Sequence, residues 1–150
     1  MKLTATYTIG APRPRVFAAL TDPAVLQRTI EGCESFTRTS ESTYEARLRV
    51  GVGSIKGVFT GQARMEHARP PESYSLAIDG RGGPGWVRGS AEMRLLDQGA
   101  QTSVVCDADV VVGGVVAAVG SRLIAAAAKR MMDQFFARLG TELTGATATG

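Results

Sequence analysis

The sequence is short of the residues from which most catalytic and metal centres are assembled. Among its 150 residues it holds one histidine, His67, and two cysteines, Cys33 and Cys106, which stand far apart. No CxxC pair and no histidine-rich neighbourhood accompanies them, so neither a zinc site nor a disulfide framework is indicated. Reduced thiols and a cytoplasmic location are the corresponding expectation. No serine or cysteine carries a nucleophile motif, which leaves a histidine-assisted triad unsupported. His67, beside Glu66 near a strand end, reads as solvated or structural. No catalytic residue and no metal ligand is assigned.

Aromatic residues make up 6% of the chain, the basic residues form no cluster, and the net charge is +3. Nucleic acid is therefore not an expected partner. Weak attraction to an anionic membrane surface remains open, with transient visits to the inner face of the cell membrane. The N-terminal "MKLTATYTIGAPRPRVF" lacks the apolar segment of a signal peptide. The greasiest stretch, "VVVGGVVAAVG" (110–120), is closed by Asp109 and Arg122. It falls short of the roughly 18 to 20 apolar residues a membrane span needs. "GVGSIKG" (51–57) has the wrong spacing for a dinucleotide-binding loop and joins two strands instead of opening a helix.

What is present is strand alternation. "KLTATYTI" sets Leu3, Ala5, Tyr7 and Ile9 against Lys2, Thr4, Thr6 and Thr8. Two short helices follow, one opened near Pro14 and stopped before Pro23, the next capped by Asp22. From about Cys33 to Val112 the chain reads as strands parted by turn residues. Tyr44, Ala46, Leu48, Val50 and Val52 share one face; so do Ile55, Phe59, Ala63 and Met65. Tyr74, Leu76 and Ile78 make a third set, Val87, Ala91, Met93 and Leu95 a fourth, and Val104, Cys106, Ala108 and Val110 a fifth. Asp107 and Asp109 share the polar face of the last strand, where solvated surface residues outweigh a cation site. Glycines 51, 53, 57 and 61 predict bends that curl the sheet.

A long C-terminal helix is expected from about Val115 to Leu139, with an apolar stripe at Val116, Val119, Leu123, Ala126, Ala127 and Met131. The architecture expected is α+β: a curved seven-stranded antiparallel sheet around that helix, formed by residues 1–143, with 144–150 as a disordered polar tail. The helix face carries small residues (Ala117, Ala118, Gly120, Ala125 to Ala128), and the strands opposite have gaps at Gly57, Gly61, Ala63 and Ala91. Such gaps allow either close approach or a cavity, and an apolar cavity is a natural ligand site. "RGGPGW" (81–86) and "RTIEGCES" (28–35) are the candidate mouths.

Several stretches together resemble a known family: "VFAALTDPAVL" (16–26), "GCESF" (32–36), "RVGVGSIKGVFTGQARM" (49–65), "PPESYSLAIDGRG" (70–82), "WVRGSAEMRL" (86–95) and "GSRLIAAAAKRMMDQFFARL" (120–139). They are similar to the family of the G subunit of carbon monoxide dehydrogenase, within the START and polyketide-cyclase (SRPBCC) superfamily. That family has proline before "GCES", where this chain has Glu31. Its longer members carry a C-terminal extension with a membrane-anchoring segment, and membrane attachment of that kind is not carried over here.

The resemblance implies a START-like helix-grip fold and a non-catalytic accessory protein serving a molybdenum hydroxylase of the carbon monoxide dehydrogenase type. Its ligand would be an apolar small molecule, foremost a quinone, with no covalently bound cofactor. The candidate lining is Phe17, Leu20, Ile30, Leu48, Val50, Phe59, Met65, Tyr74, Leu76, Trp86, Met93, Val104, Val116, Val119, Leu123, Ala127 and Met131. Two other functions are carried alongside. One is a cyclase or aromatase on the same fold, for which the interior offers only Tyr7, Tyr44, Tyr74 and His67 as polar groups. The other is a maturation or membrane-recruitment factor acting through its surface.

Overall fold

The computed structural model describes residues 1–145. In chain order these form β1 (Lys2–Ile9), α1 (Arg13–Leu20), α2 (Pro23–Thr29), β2 (Cys33–Arg38), β3 (Thr43–Val52), β4 (Ile55–Arg69), β5 (Ser73–Gly82), β6 (Gly85–Gln98), β7 (Gln101–Gly113), a 3-10 turn (Val115–Val119) and α3 (Ser121–Thr144). The strands make one seven-stranded sheet in the order β1-β7-β6-β5-β4-β3-β2. Every pairing is antiparallel. The meander runs from β2 to β7, and β1 closes its far edge beside β7. The α+β architecture expected from the alternation is the one observed.

Local chemistry sets the two short helices. Pro14 stands in the first turn of α1, where its missing N–H costs nothing. The Asp22 carboxylate accepts from the Ala24 N–H at 3.0 Å and caps α2. Inward positions on the strands follow the period of two. Gly61 and Gly80 face each other across β4 and β5, and Gly57 lies beneath Pro84, whose ring leaves no room for a Cβ there. The sheet can curl at these points because no side chain resists it. At the outer end of β4 the register shifts between Glu66 and Arg69. His67 sits in that bulge, exposed and left-handed at φ 52.

The C-terminal helix departs from expectation in three ways. It begins at Ser121, because Gly114 (φ 84) and Gly120 (φ 95) break the chain into a separate 3-10 turn over Val115–Val119. The Val116 N–H donates to the Pro84 carbonyl at 2.8 Å, which ties this turn to the β5–β6 hairpin. The helix also continues past Leu139 to Thr144, into the stretch expected to be a tail. The Thr141 and Thr144 hydroxyls donate back to the carbonyls of Ala137 and Gly140, and Arg28 pairs with Glu142. Residues 146–150, the rest of that tail, lie outside the described residues.

The helix face is also rotated from the expected stripe. Ile124, Ala128, Met132, Phe135, Phe136, Leu139 and Leu143 turn inward, whereas Leu123 is 52% exposed and Ala126 is exposed. The expected stripe takes its phase from Val116 and Val119, and the break at Gly120 removes that phase relation. The two residues of α3 that bury fully, Phe136 and Leu139, set the rotation instead.

Candidate functional site

The space between sheet and α3 has two unlike ends. At one, Ile9, Val16, Phe17, Leu20, Tyr74, Met93, Leu95, Val104, Phe136 and Leu139 form a single buried cluster. Phe17 meets Tyr74 edge-on at 5.5 Å, and Tyr7 stacks on Phe136 at 4.2 Å. At the other end, Leu48, Val50, Phe59, Ile78 and Val87 point inward from the sheet, and Ile124, Ala127, Ala128 and Met131 from the helix. All of them keep partial contact with solvent. No residue of α3 before Phe136 is fully buried. This row of half-open apolar side chains, continuing from the sealed cluster, is the candidate groove.

The predicted lining residues divide accordingly. Leu48, Val50, Phe59, Met65, Leu76, Val119, Ala127 and Met131 are half-buried, as is Ile30 at the end of α2. Phe17, Leu20, Tyr74, Met93 and Val104 belong to the sealed cluster. Val116 is buried beside Gly85. Two predicted lining residues stand elsewhere. Leu123 projects toward Gly53 in the β3–β4 turn with half its surface in water. Trp86 lies on the outer face of the sheet, paired opposite Gly113, with the Arg88 guanidinium 5.5 Å from its ring centre. It shares strand parity with Arg88, a signal present in the sequence. Ile78, Val87, Ile124, Ala125 and Ala128 turn into the groove and lie outside the predicted lining. The alanines carry no phase information that could have placed them.

Neither candidate mouth is a loose loop. "RGGPGW" is a hairpin turn whose Pro84 is buried against Gly57 and held by the Val116 N–H. In "GCES", Gly32 (φ 77) comes so close to β3 that a Cβ would collide with the Arg49 carbonyl oxygen. The Glu34 carboxylate then receives Arg47 at 2.9 Å and Arg49 at 3.0 Å. Hydrogen bonds from Arg47 and then Arg49 hold that carboxyl below its ordinary range. The motif therefore fastens the start of β2 to β3.

The polar groups of the interior are mostly engaged. The Tyr44 hydroxyl donates to the Thr21 carbonyl at 3.0 Å and accepts from Arg38 at 3.1 Å. The Tyr7 hydroxyl donates to Asp133 at 2.6 Å, and Lys129 reaches the same carboxylate at 2.7 Å. Burial, then the Asp133 hydrogen bond, pushes the Tyr7 phenol up; Lys129, then Tyr7, pulls the Asp133 carboxyl down. Burial pushes the Tyr74 phenol and both thiols up, so neither cysteine is activated as a thiolate. On the outer face Asp107 pairs with Arg94 at 3.3 Å, and Asp109 lies 3.7 Å from the N-terminal ammonium. Among the described residues no three His, Cys, Asp or Glu side chains converge as metal ligands. No helix of the described residues is long and apolar enough to cross a membrane.

Known proteins agree with this architecture. The family described as the G subunit of carbon monoxide dehydrogenase (CoxG) matches residues 6–144. No curated protein sequence matches the chain. A conserved protein from Geobacillus kaustophilus superposes with a TM-score of 0.91 at 28% identity, over 97% of this chain and 96% of its own. The Zhui aromatase/cyclase from Streptomyces sp. R1128 gives 0.72 at 19% identity, over 100% and 98%. A START superfamily protein from Mycobacterium smegmatis also gives 0.72, at 14% identity, over 97% and 99%. At those last identities the likeness is one of fold. With a START-like sheet around a long helix, and a family match over nearly its whole length, the chain belongs to the carbon monoxide dehydrogenase CoxG family.

Proposed function

We propose that this protein is a non-catalytic carrier that holds an apolar small molecule, a quinone above all, in the groove beside α3 and serves a molybdenum hydroxylase of the carbon monoxide dehydrogenase type. The observation that carries the reading is the row of inward-facing apolar side chains that stay in contact with water. A ligand covering about 300 Å² of apolar surface there gains roughly 7 kcal/mol at about 25 cal/mol/Å². Before the cost of association this corresponds to a dissociation constant of about 10 μM, which that cost weakens. The engagement of the Tyr7 and Tyr44 hydroxyls supports binding over acid–base chemistry, and the family name supports the enzyme partner.

The carrier reading also gives a role to the end of the molecule around the 3-10 turn. Trp86, Val111, Val115 and Leu123 are exposed there, accompanied in the sequence by Lys56, Arg81, Arg88 and Arg122. Apolar tips among cations suit transient contact with an anionic leaflet, at about 1 kcal/mol per cation near the surface.

Native mass spectrometry of protein purified from its own host tests the central claim. A bound species with the mass of a quinone is expected, lost on filling the groove with Ala128→Trp. Wild-type protein that carries no apolar species and takes up none from quinone-loaded vesicles overturns the reading. For the partner, a molybdenum hydroxylase is expected to bind wild type and Ala128→Trp alike, while electron delivery to quinone fails only with the variant.

A further inference from the structure

We infer that Gln134 is the polar anchor of the groove, recognising a carbonyl or hydroxyl oxygen on an otherwise apolar ligand; this rests on the carrier reading above. Among the described residues, Gln134 Oε1 is the only buried side-chain oxygen or nitrogen without a hydrogen-bond partner. Buried polar atoms are nearly always paired, because an unpaired one has given up water and received nothing in exchange. Several other polar side chains on α3 and in the core are paired. Asp133 is held by Tyr7 and Lys129, Glu142 by Arg28, and the buried Thr29 and Thr102 hydroxyls donate to the carbonyls of Val25 and Ala11. Gln134 is the exception.

Its place on α3 says what it is exposed to. Gln134 follows Met131 by three residues and Ala127 by seven, a spacing that puts all three on one side of a helix. Met131 and Ala127 are half-buried side chains of the open groove. On that side the next turns carry Ala137, Arg138 and Thr141, all exposed, while Phe136 and Leu139 of the sealed cluster lie around the helix from it. The amide therefore stands at the C-terminal end of the half-buried row formed by Ala127 and Met131. A ligand entering apolar tail outward brings its head group to this position.

The chemistry of an amide matches a head group that changes its hydrogen-bonding sense. Gln carries an acceptor oxygen and a two-proton donor, interchanged by rotating the side chain. The NH₂ donates to the carbonyl of an oxidised ring, and the oxygen accepts from the hydroxyl of its reduced form. A carboxylate or an ammonium in the same place would favour one form only. The ligand class assigned is a cyclic ketone or quinone with its hydroxyl-bearing reduced partner, on an apolar body.

The test compares decyl-1,4-benzoquinone with decylbenzene, the same body without oxygens, as competitors of an environment-sensitive apolar dye bound to full-length protein. Wild type is expected to prefer the quinone by about tenfold, the worth of one net hydrogen bond. Gln134→Leu should lose that preference, keep its affinity for decylbenzene, and melt at a higher temperature than wild type when empty. Gln134→Met makes the same comparison if the branched side chain does not fold. Both probes binding, with the quinone preference intact in the variants, overturns the assignment and leaves the carrier standing. Failure of wild type to bind either probe overturns the carrier reading and the anchor with it.

Discussion

At the α1 end of the interior, Val16, Leu95, Val104 and Leu139 are sealed from water at 1% exposure or less. At the end nearest Gly120, Leu48, Val50, Phe59 and Met131 face the same interior from the same sheet and helix, yet keep contact with solvent. The difference is one of side-chain size and of what closes over the space. The sealed end is filled by Phe17, Tyr74 and Phe136 and covered by α1. The open end presents the small side chains of Ala127 and Ala128 and lies beyond the reach of the short α1. Large residues make a core at one end, and their omission makes a groove at the other.

Substitutions at the two ends should therefore behave differently, and the largest contrast lies in the sealed cluster. Leu139→Ala is expected to destabilise the protein by about 2–5 kcal/mol in chemical denaturation, the range for a buried leucine that leaves a cavity. A loss below about 1 kcal/mol means that the sealed end is as loose as the groove, and the distinction falls.

Matched overpacking sharpens the comparison. Ala19→Trp, at a position 5% exposed in the sealed cluster, should cost at least about 1–3 kcal/mol. Ala128→Trp should cost under about 1 kcal/mol and abolish binding of an apolar dye, because the ring enters open space. Equal costs at the two sites would show the groove to be filled.

A smaller contrast appears at alkaline pH. Burial raises the folded-state pKa of Tyr74 above the unfolded value of about 10. Its contribution to stability is then complete below about pH 10 and is lost as pH rises further, because the unfolded chain releases the proton first. The denaturation midpoint should fall between about pH 9 and pH 11 in wild type, and less steeply in Tyr74→Phe. Parallel profiles would place the phenol in contact with water.

The smallest effect is expected at Leu123. Half of its surface is already in solvent, so Leu123→Trp should change stability by no more than about 0.5 kcal/mol and leave dye binding intact. Loss of binding on the scale of Ala128→Trp would return Leu123 to the lining and put the observed helix rotation in doubt.

The strand faces are legible in the sequence because a period of two survives in each strand: Leu48 and Val50 alternate with Arg47 and Arg49, and Met93 and Leu95 with Glu92 and Arg94. Of the glycines expected to bend the sheet, Gly51, Gly57 and Gly61 sit in unbroken register and Gly53 lies in the β3–β4 turn. The rotation of α3 is not legible. Ala125 to Ala128 are nearly equivalent on any face, and the phase taken from Val116 and Val119 ends at Gly120. Trp86 is misplaced when an aromatic residue in a glycine-rich turn is judged by its type and not by its parity with Arg88. Gln134 gives no signal in the sequence, being one polar residue among several on a helix. It becomes conspicuous only once its buried oxygen is seen to have no hydrogen-bond partner.

By itself, then, the sequence determined the strand parities, the antiparallel meander and the family. Each is set by local alternation or by motifs contiguous in the chain. Only the tertiary structure decided which face of α3 turns inward, that "RGGPGW" is pinned through Pro84, and where the sealed core gives way to the groove. Those outcomes depend on which distant side chains reach the same space first: Phe136 and Leu139 fill the α1 end and fix the helix, and what they leave unfilled is the groove.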